Sequence, residues 1–412
     1  MPSILVAQIG ARRHYAVPAI LHRAGLLGCV VTDLTDRDFL ARCSGVLRAL
    51  GLGSFAKRIR DRNLKEIPDQ KVVSFPLYGI VRVARRLIIS DPGRLRRHHA
   101  LANEWFGKLV ARLDLSQYDG VYVFNGAGLE IARIAKGKGL KVIVDQTSAP
   151  IEAEEKLLAE ERRRWKGWEA EPKDPQGWQV LARREELEWE LADLIVCGSE
   201  YVKHCLVEKG VDSAKIRVVH PGAPEWSLPE KSQRPEERFR DGNPLRVLFA
   251  GTLCLRKGIP YVVEAARALR GAAEFRAVGS NGLTRFGLQQ VRAWVEYCGF
   301  VPRSEMAAQY RWADVFLLPS LSEGSANVCF EALAAGLPVI TTPNAGSVVR
   351  DGVEGFIVPI RCCGSIVNAV QVLMDDPALL ERVQQSVTEA VKDYTWAKYE
   401  HRLVQEIRDL FS

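Results

Sequence analysis

Two glutamates, Glu323 and Glu331, stand eight positions apart in a segment that could bind a sugar and a phosphate. The segment, residues 319–332, follows an apolar run typical of a strand and leads into a helix. Its small residues let the backbone approach a ligand, and the first N–H groups of a helix attract an anion such as phosphate. Within that helix, Glu331 could accept hydrogen bonds from vicinal hydroxyls such as those of a ribose. Two glutamates that cap or pair on a helix surface are the alternative.

The segments that would position these residues alternate between short apolar runs and longer stretches with helical periodicity. Val- and Ile-rich runs of this length are typical of buried parallel strands, and their alternation with helices is typical of βαβ units. The sequence therefore predicts an α/β fold. The predicted strands are 4–9, 28–33, 121–124, 141–145, 194–197 and 216–219, and then 246–250, 274–278, 315–318, 338–342 and 355–358.

A proline-rich segment divides these strands into two sets. Residues 223–244 contain four prolines among charged residues, a composition that resists helix and strand alike. We therefore expect a first domain over residues 1–222, a linker over 223–244 and a second domain over 245–394. The amphipathic residues 395–412 predict a terminal helix that packs back on the first domain.

The composition is that of a globular chain with an uneven charge distribution. The 412 residues are 47% hydrophobic and 26% charged. A chain of this length is too long to fold around a single hydrophobic core. Residues 1–100 hold 18 Lys and Arg against 7 Asp and Glu, whereas the rest holds 39 against 43. Basic stretches mixed with Leu, Ile and Val predict either contact with an anionic membrane or a solvated basic surface. No nucleic-acid-binding motif accompanies the charge, so nucleic acid is not an expected partner.

The expected location is cytoplasmic, peripheral on the inner membrane face if the basic surface binds lipid. No run reaches roughly 18 consecutive apolar residues, and residues 1–10 are typical of a strand rather than of a leader. The nine cysteines are scattered and contain no C-x-x-C pair, which favours core residues in a reducing compartment.

Four motifs, in order along the chain, resemble glycosyltransferase family 4, a group of retaining enzymes with the GT-B fold. Glu323 and Glu331 match its E-x7-E signature, and residues 334–340 follow in the family style. Residues 247–258 are similar to the strand and loop that hold the donor diphosphate, and residues 199–222 carry motifs that close the first domain. The resemblance covers nearly the whole chain. It implies two Rossmann-like domains whose parallel sheets face each other across a cleft.

The resemblance also implies a nucleotide-sugar donor bound by the second domain. Glu331 would hold the ribose, Glu323 would face the donor sugar, and Lys257 would neutralise the departing diphosphate. Many members carry Arg where this chain has Thr252, so we expect Arg256 to substitute. The predicted catalytic residues are Glu323, Lys257 and Arg256. The predicted donor-binding residues are Glu331, Gly324, Ser325, Ala326, Asn327, Val328, Gly251 and Thr252. No metal or cofactor is expected, so cations of the protein must stabilise the leaving group.

First-domain residues are expected to bind the acceptor or a phosphate. The family has a glycine-rich loop after its first strand, and this chain has Gly10-Ala11-Arg12-Arg13-His14 there. An anionic or lipid-phosphate acceptor suits two arginines, and an ordinary surface loop is the alternative. Asn125 follows the strand 121–124, at the sheet edge where doubly wound folds bind ligands. The predicted acceptor or phosphate residues are Gly10, Arg12, Arg13, His14 and Asn125, with His220 as a further candidate.

The predicted function is that of a retaining glycosyltransferase, an enzyme of the hexosyltransferase class. It would move a sugar from a nucleoside-diphosphate donor to a glycan or lipid-linked acceptor in polysaccharide or glycolipid synthesis. A nucleotide-sugar epimerase and a sugar phosphorylase are alternatives with the same fold. The alternative from another class is an NAD-dependent oxidoreductase, because Gly126-x-Gly128 follows a strand and Asp145 ends the next one. Ile131 breaks that pattern where a third small residue is needed.

Overall fold

Two parallel β-sheets, one in each half of the chain, form the framework of the protein. The computed structural model describes residues 1–38, 62, 64–89, 91–225 and 243–412. Most of the predicted linker, residues 226–242, lies outside the described residues.

Seven strands build the sheet of the first domain. They are β1 Ile4–Ala7, β2 Leu27–Thr32, β3 Val72–Ser74, β4 Gly120–Phe124, β5 Lys141–Gln146, β6 Leu194–Cys197 and β7 Ile216–Val218. Their order in the sheet is β3-β2-β1-β4-β5-β6-β7. Successive residues of β1 enter two apolar clusters, with Leu5 and Ala7 on one face and Ile4 and Val6 on the other. Both faces are therefore covered, which is why the central strands are apolar throughout.

Six strands build the sheet of the second domain. They are β8 Leu245–Ala250, β9 Ala273–Val278, β10 Glu296–Gly299, β11 Val315–Leu318, β12 Val339–Thr341 and β13 Gly355–Ile357. Their order is β10-β9-β8-β11-β12-β13. Because β8 and β11 are parallel neighbours, the loops that follow them emerge side by side at the same edge.

Helices connect the strands and pack on both sheets. They are α1 Ala16–Arg23, α2 Pro76–Ile88, α3 Pro92–Val110, α4 Leu129–Gly137, α5 Ile151–Arg164, α6 Gln179–Leu191, α7 Glu200–Glu208, α8 Ile259–Ala268, α9 Arg285–Arg292, α10 Met306–Trp312, α11 Asn327–Ala334, α12 Cys363–Asp375, α13 Pro377–Ala390 and α14 Trp396–Phe411. Side-chain oxygens cap several of them, as at Asp91 before α3 and Ser199 before α7.

The predicted α/β fold with parallel sheets is confirmed, and all eleven predicted strands are present. The prediction missed β3 and β10, which form one edge of each sheet. An edge strand is covered less completely than a central one. In β10, Glu296 and Cys298 are exposed, so the strand lacks the apolar run that identified the others.

Two segments cross between the domains. α14 buries Tyr399, Leu403 and Ile407 in the apolar cluster that contains Ile4 and Val6 of β1. In the opposite direction, Leu158 of α5 and the following Trp168 enter the core of the second domain. The domains are therefore joined by packed side chains on either side of the cleft.

Candidate active site

The loop after β8 brings two cations against Glu323. Arg256 and Lys257 lie in a short 3-10 turn that ends at Gly258, which has a φ of +70°. A side chain on Gly258 would collide with the Pro319 carbonyl, so glycine lets this turn approach the segment after β11. Lys257 Nζ donates to Glu323 Oε1 over 2.6 Å, and Arg256 Nη1 lies 2.8 Å from Oε2.

Glu323 is ionised and faces two cations. Burial raises the pKa of Glu323, but Lys257 and Arg256 outweigh it and hold the pKa below its usual value. Glu323 and Lys257 are each only 12% exposed. Arg256 and Lys257 thus both contact Glu323 at the domain cleft, and two such cations suit an anionic ligand.

The turn before α11 places the N-terminal end of that helix next to the segment that carries Glu323. Ala326 is the N-cap residue of α11 and makes no side-chain capping hydrogen bond within the described part of the chain. Its N–H donates to the Ala345 carbonyl over 3.1 Å, and Ser325 Oγ donates to the Gly346 carbonyl over 3.2 Å. These bonds fix the turn, and the positive end of the α11 dipole favours an anion there.

Gly324 is the point where the two domains touch across this turn. The Ser199 hydroxyl donates to the Gly324 carbonyl. A side chain on Gly324 would collide with the carbonyl of Thr147, which follows β5 of the first domain. Glycine at this position therefore lets the domains close on each other.

Glu331 lines a small cavity between the domains. The cavity has a volume of about 160 Å³, and Arg13, His14 and Arg303 also line it. Tyr310 donates its hydroxyl to Glu331 Oε2 over 2.7 Å. Burial and the Glu331 charge raise the pKa of Tyr310, so its hydroxyl stays protonated and continues to donate. This arrangement holds the carboxylate in place beside the cavity.

The backbone of the loop after β1 is strained. Arg13, His14 and Tyr15 have successive φ values of +47°, +53° and +60°. This left-handed region costs a non-glycine residue roughly 1–2 kcal/mol. Such strain persists only where surrounding contacts enforce it, and it concentrates at functional sites.

Contacts around Arg13 enforce this conformation. Arg13 Nη1 donates to the Tyr399 hydroxyl over 2.6 Å, and Arg13 Nη2 lies 3.7 Å from Asp145 Oδ1. Tyr122 donates to the other Asp145 oxygen over 2.8 Å. With 15% of its side chain exposed, Arg13 is not an ordinary surface arginine.

The two neighbours of Arg13 in this loop differ in their partners: Arg12 contacts the first domain, and His14 contacts the second. Arg12 Nη1 donates to Thr147 Oγ1 over 3.1 Å, and its guanidinium lies 5.4 Å from the Phe124 ring centroid. His14 Nε2 accepts from Arg303 Nη1 over 2.9 Å, which joins the first domain to the second beside Glu331.

Asn125 uses its polar atoms on internal partners. Its Nδ2 donates to Glu185 Oε1 over 2.7 Å, and its Oδ1 accepts from the Thr147 hydroxyl over 2.9 Å. The contribution of Asn125 to acceptor binding stays a prediction.

In the glycine turn that favoured an oxidoreductase, a glutamate of the chain itself accepts the backbone hydrogen bonds. The N–H groups of Gly126 and Gly128 donate to Glu188 over 2.6 and 2.8 Å. A dinucleotide pyrophosphate would need these donors, so this turn disfavours the oxidoreductase alternative.

The remaining predicted residues have mixed surroundings. Gly251 follows β8 and has a φ of +140°, and Thr252 Oγ1 lies 2.9 Å from Ser280 Oγ. Val328 lies in the first turn of α11. Burial lowers the pKa of His220, whose Nδ1 lies 3.1 Å from the Gly198 carbonyl. Their roles, like those of the other predicted site residues, stay predictions.

Three residues at the site were not predicted from the sequence: Glu154, Arg303 and Tyr310. Glu154 Oε2 of α5 lies 4.0 Å from Arg256 Nε of the second domain. Arg303 lines the cavity and Tyr310 donates to Glu331, and both come from the segment between β10 and β11. No spacing in the sequence identifies them, because their neighbours are distant along the chain.

The described residues offer neither a cluster of metal ligands nor a helix suited to span a membrane. Within residues 1–38, 62, 64–89, 91–225 and 243–412, no group of three or more His, Cys, Asp or Glu side chains could hold a metal ion. In the same ranges, no helix is both long enough and apolar enough to cross a membrane. The expected lack of a metal and a cofactor stays a prediction.

Known protein structures share this fold. HepE from Anabaena, solved in complex with UDP and glucose, aligns with a TM-score of 0.63 at 14% identity, over 99% of this chain and 100% of that chain. A sucrose-phosphate synthase from Thermosynechococcus elongatus aligns with a TM-score of 0.63 at 18% identity, over 100% and 99%. The predicted GT-B fold, with two Rossmann-like domains facing across a cleft, is confirmed.

Sequence comparison gives relatives with a named function. The amylovoran biosynthesis glycosyltransferase AmsK of Erwinia amylovora is 30% identical over 185 residues, which cover 40% of this chain and 44% of that protein. The putative colanic acid biosynthesis glycosyltransferase WcaL of Salmonella typhimurium is 28% identical over 230 residues, 52% of each. The chain thus spans about half the length of the curated relatives it matches.

A family match falls on the domain that carries Glu323 and Glu331. Residues 244–376 match the family described as Glycosyl transferases group 1. The resemblance predicted from the sequence motifs is confirmed, and the chain carries a domain of the glycosyl transferases group 1 family.

Proposed function

We propose that this chain is a retaining glycosyltransferase that moves a sugar from a nucleoside-diphosphate donor to an acceptor hydroxyl. The observation that carries the proposal is the convergence of Lys257 and Arg256 on Glu323 beside the N-terminal end of α11. Breaking the bond between the anomeric carbon and phosphate places negative charge on the leaving group. The two cations and the helix end would stabilise that charge, and the proposal includes no metal or cofactor.

The proposed reaction exchanges one bond at the anomeric carbon for another. The acceptor oxygen forms the new bond while the bond to the donor phosphate oxygen breaks. The acceptor proton passes to that phosphate oxygen on the same face, which retains the anomeric configuration. Glu323 would accept hydrogen bonds from the sugar and Glu331 from the ribose, in a cleft that closes to expel water.

The proposed acceptor is an anionic glycan or a lipid-linked phosphate held mainly by the first domain. Arg12 and Arg13 stand at the cleft, and Arg82 and Arg86 belong to α2. Burial, together with Arg86 and Arg82, lowers the pKa of His99 to about 4. Burial is the larger cause of this shift, and the two arginines add to it because they place positive charge near the imidazole. The relatives named for amylovoran and colanic acid biosynthesis favour a role in cell-surface polysaccharide synthesis.

The proposed location is cytoplasmic, with peripheral contact to an anionic membrane. α2 exposes Leu77, Val81 and Ile88, and it also exposes Arg85 and Arg86. Apolar and basic side chains on one exposed helix suit an anionic bilayer surface. Flotation with neutral and with anionic vesicles tests this. The protein should float with anionic vesicles and less so as the Arg85→Glu/Arg86→Glu variant, and equal recovery with both vesicle types contradicts the membrane contact.

Calorimetry with UDP, GDP and ADP tests the donor site. One of the three should bind to the wild type, and Glu331→Ala should weaken that binding by about 1–3 kcal/mol because a ribose ligand is lost. Glu389→Ala serves as the control, since Glu389 pairs with Lys392 on the exposed surface. If none of the nucleotides binds, or Glu331→Ala binds as the wild type does, the proposed donor site is wrong.

A further inference from the structure

We propose that Glu154 forms the first-domain wall of the donor-sugar pocket and accepts hydrogen bonds from hydroxyls of the transferred sugar. The inference rests on the proposed function, since it presumes that Glu323 and Arg256 stand at the donor sugar and phosphate. It assigns a specificity residue for the donor sugar to the first domain.

Two carboxylates from different domains flank one guanidinium. Arg256 Nη1 lies 2.8 Å from Glu323 Oε2, and Arg256 Nε lies 4.0 Å from Glu154 Oε2. Glu154 stands in the first turns of α5, and the chain that leads into α5 passes Thr147, whose carbonyl contacts Gly324 beside Glu323. The same closure of the cleft therefore brings Glu154 next to the predicted sugar site.

The surroundings of Glu154 differ from those of other acidic residues on the same helix. Glu152 pairs with Lys156 over 2.8 Å, and Glu161 accepts from Tyr261 over 2.8 Å and from Arg361 over 2.6 Å. These bonds hold α5 in place. Glu154 stands 4.0 Å from its cation, beyond hydrogen-bond distance, so the contact is weak as a structural bond.

The environment of Glu154 is also costly for a carboxylate without a ligand. Its side chain is 24% exposed. Burial raises its pKa, Glu323 raises it further, and Arg256 opposes the shift. Hydroxyls of a bound sugar would donate to this carboxylate and replace the water that closure removes.

This arrangement indicates the class of sugar. Glu154 and Glu323 both accept hydrogen bonds when ionised and donate none, so between them they suit the hydroxyls of a neutral hexose. A uronic acid would bring a third carboxylate to the same guanidinium and would be repelled. The inferred donor is therefore a neutral nucleoside-diphosphate hexose.

The test separates sugar binding from nucleotide binding. Wild type, Glu154→Gln, Glu154→Ala and the control Glu160→Gln are titrated with UDP, GDP and ADP, and then with UDP-glucose, GDP-mannose and ADP-glucose. Glu160 lies on the same helix, pairs with Arg361 and is 54% exposed. Glu154→Ala should bind the free nucleotide as the wild type does and the sugar nucleotide roughly 5- to 30-fold more weakly. Glu154→Gln, which keeps the shape of the side chain, should show a smaller loss in the same direction.

The outcomes distinguish this inference from the proposed function. If the wild type binds no nucleotide, the donor site itself fails. If nucleotide binding is present and depends on Glu331, but both Glu154 variants bind the sugar nucleotide as the wild type does, the role of Glu154 is overturned. Equal weakening of free nucleotide and sugar nucleotide also overturns it, because Glu154 would then act only through Arg256. Thermal unfolding confirms that each variant is folded, and Glu154→Gln provides the test if Glu154→Ala is not.

Discussion

Two glycine-bearing turns, one in each domain, share their position in the fold but differ in what their backbone N–H groups meet. Residues 125–128 link β4 to α4, and residues 319–326 link β11 to α11. In the first turn, Gly126 and Gly128 donate to the buried Glu188 carboxylate. In the second, the Glu323 and Ala326 N–H groups donate to the Asn344 and Ala345 carbonyls, and Arg256 and Lys257 stand nearby.

The difference shows that a glycine turn before a helix does not by itself predict a ligand site. Both turns place a helix N-terminus at the carboxyl edge of a parallel sheet, where an anion is favoured. In the first domain the Glu188 carboxyl group from α6 occupies that place. In the second domain Arg256 and Lys257 stand beside the turn, so an anionic ligand is expected there.

The largest expected effect comes from removing the cation of the second turn. Lys257→Ala should lower the turnover of the sugar nucleotide by about 10²–10³-fold, because one donor to the leaving group is lost. Arg256 remains to hold Glu323, so the fold should be kept. The measurement is the rate of nucleoside diphosphate release. Lys392→Ala on the exposed surface is the control. A Lys257→Ala rate within a few-fold of the control rate would contradict a leaving-group site at the second turn.

A smaller loss of turnover is expected when a substitution prevents the second turn from contacting the first domain. The new methyl group in Gly324→Ala would collide with the Thr147 carbonyl, so the cleft should not close fully. A displacement of about 1 Å can cost about 10² in rate, whereas nucleotide affinity should change little. Gly364→Ala, at a position with open space around it, is the matched control. Loss of nucleotide binding in step with the rate would show that the collision disturbs the second domain itself.

An alanine substitution of the residue that binds the first turn should affect stability rather than turnover. Glu188→Ala leaves the N–H groups of Gly126 and Gly128 without their acceptor. We expect it to lower the free energy of unfolding by about 2 kcal/mol, with nucleotide affinity of the folded protein unchanged. Urea unfolding measures the first quantity and calorimetry the second. Glu186→Ala, on the same helix but paired with Arg183 at the surface, should be near neutral, and a selective loss of nucleotide binding in Glu188→Ala would erase the contrast between the turns.

The contrast also explains which parts of the molecule the sequence predicts. Central strands are covered on both faces, so their apolar runs identify them, whereas β10 exposes Glu296 at a sheet edge. The proposed donor half of the site has a sequence signal because Glu323 and Glu331 lie within one segment at a fixed spacing.

The first-domain half depends on partners that are distant along the chain. Glu188 reaches Gly126 across 62 positions, and Glu154 meets Arg256 only when the domains are packed together. The left-handed conformation of Arg13 depends on Tyr399 from the other end of the chain. No local sequence pattern encodes such contacts. For that reason the sequence around Gly126 and Gly128 indicated a possible nucleotide site, although Glu188 accepts their hydrogen bonds.

The last expected effect is a pH dependence that belongs to the first turn alone. Burial raises the pKa of Glu188 to about 8, although the Gly126 and Gly128 N–H groups and Arg184 oppose the shift. An unfolded glutamate has a pKa of about 4.3, so between these two values the folded chain holds the extra proton. Stability from this group is therefore complete below about pH 4.3 and declines as the pH rises towards about 8. Urea unfolding at about pH 5 and about pH 8.5 should show a steeper loss for the wild type than for Glu188→Gln, which cannot titrate. An equal loss of stability in both proteins would mean that Glu188 is ionised at both pH values. The first turn would then hold a negative charge of its own, as the second turn is expected to hold an anionic ligand.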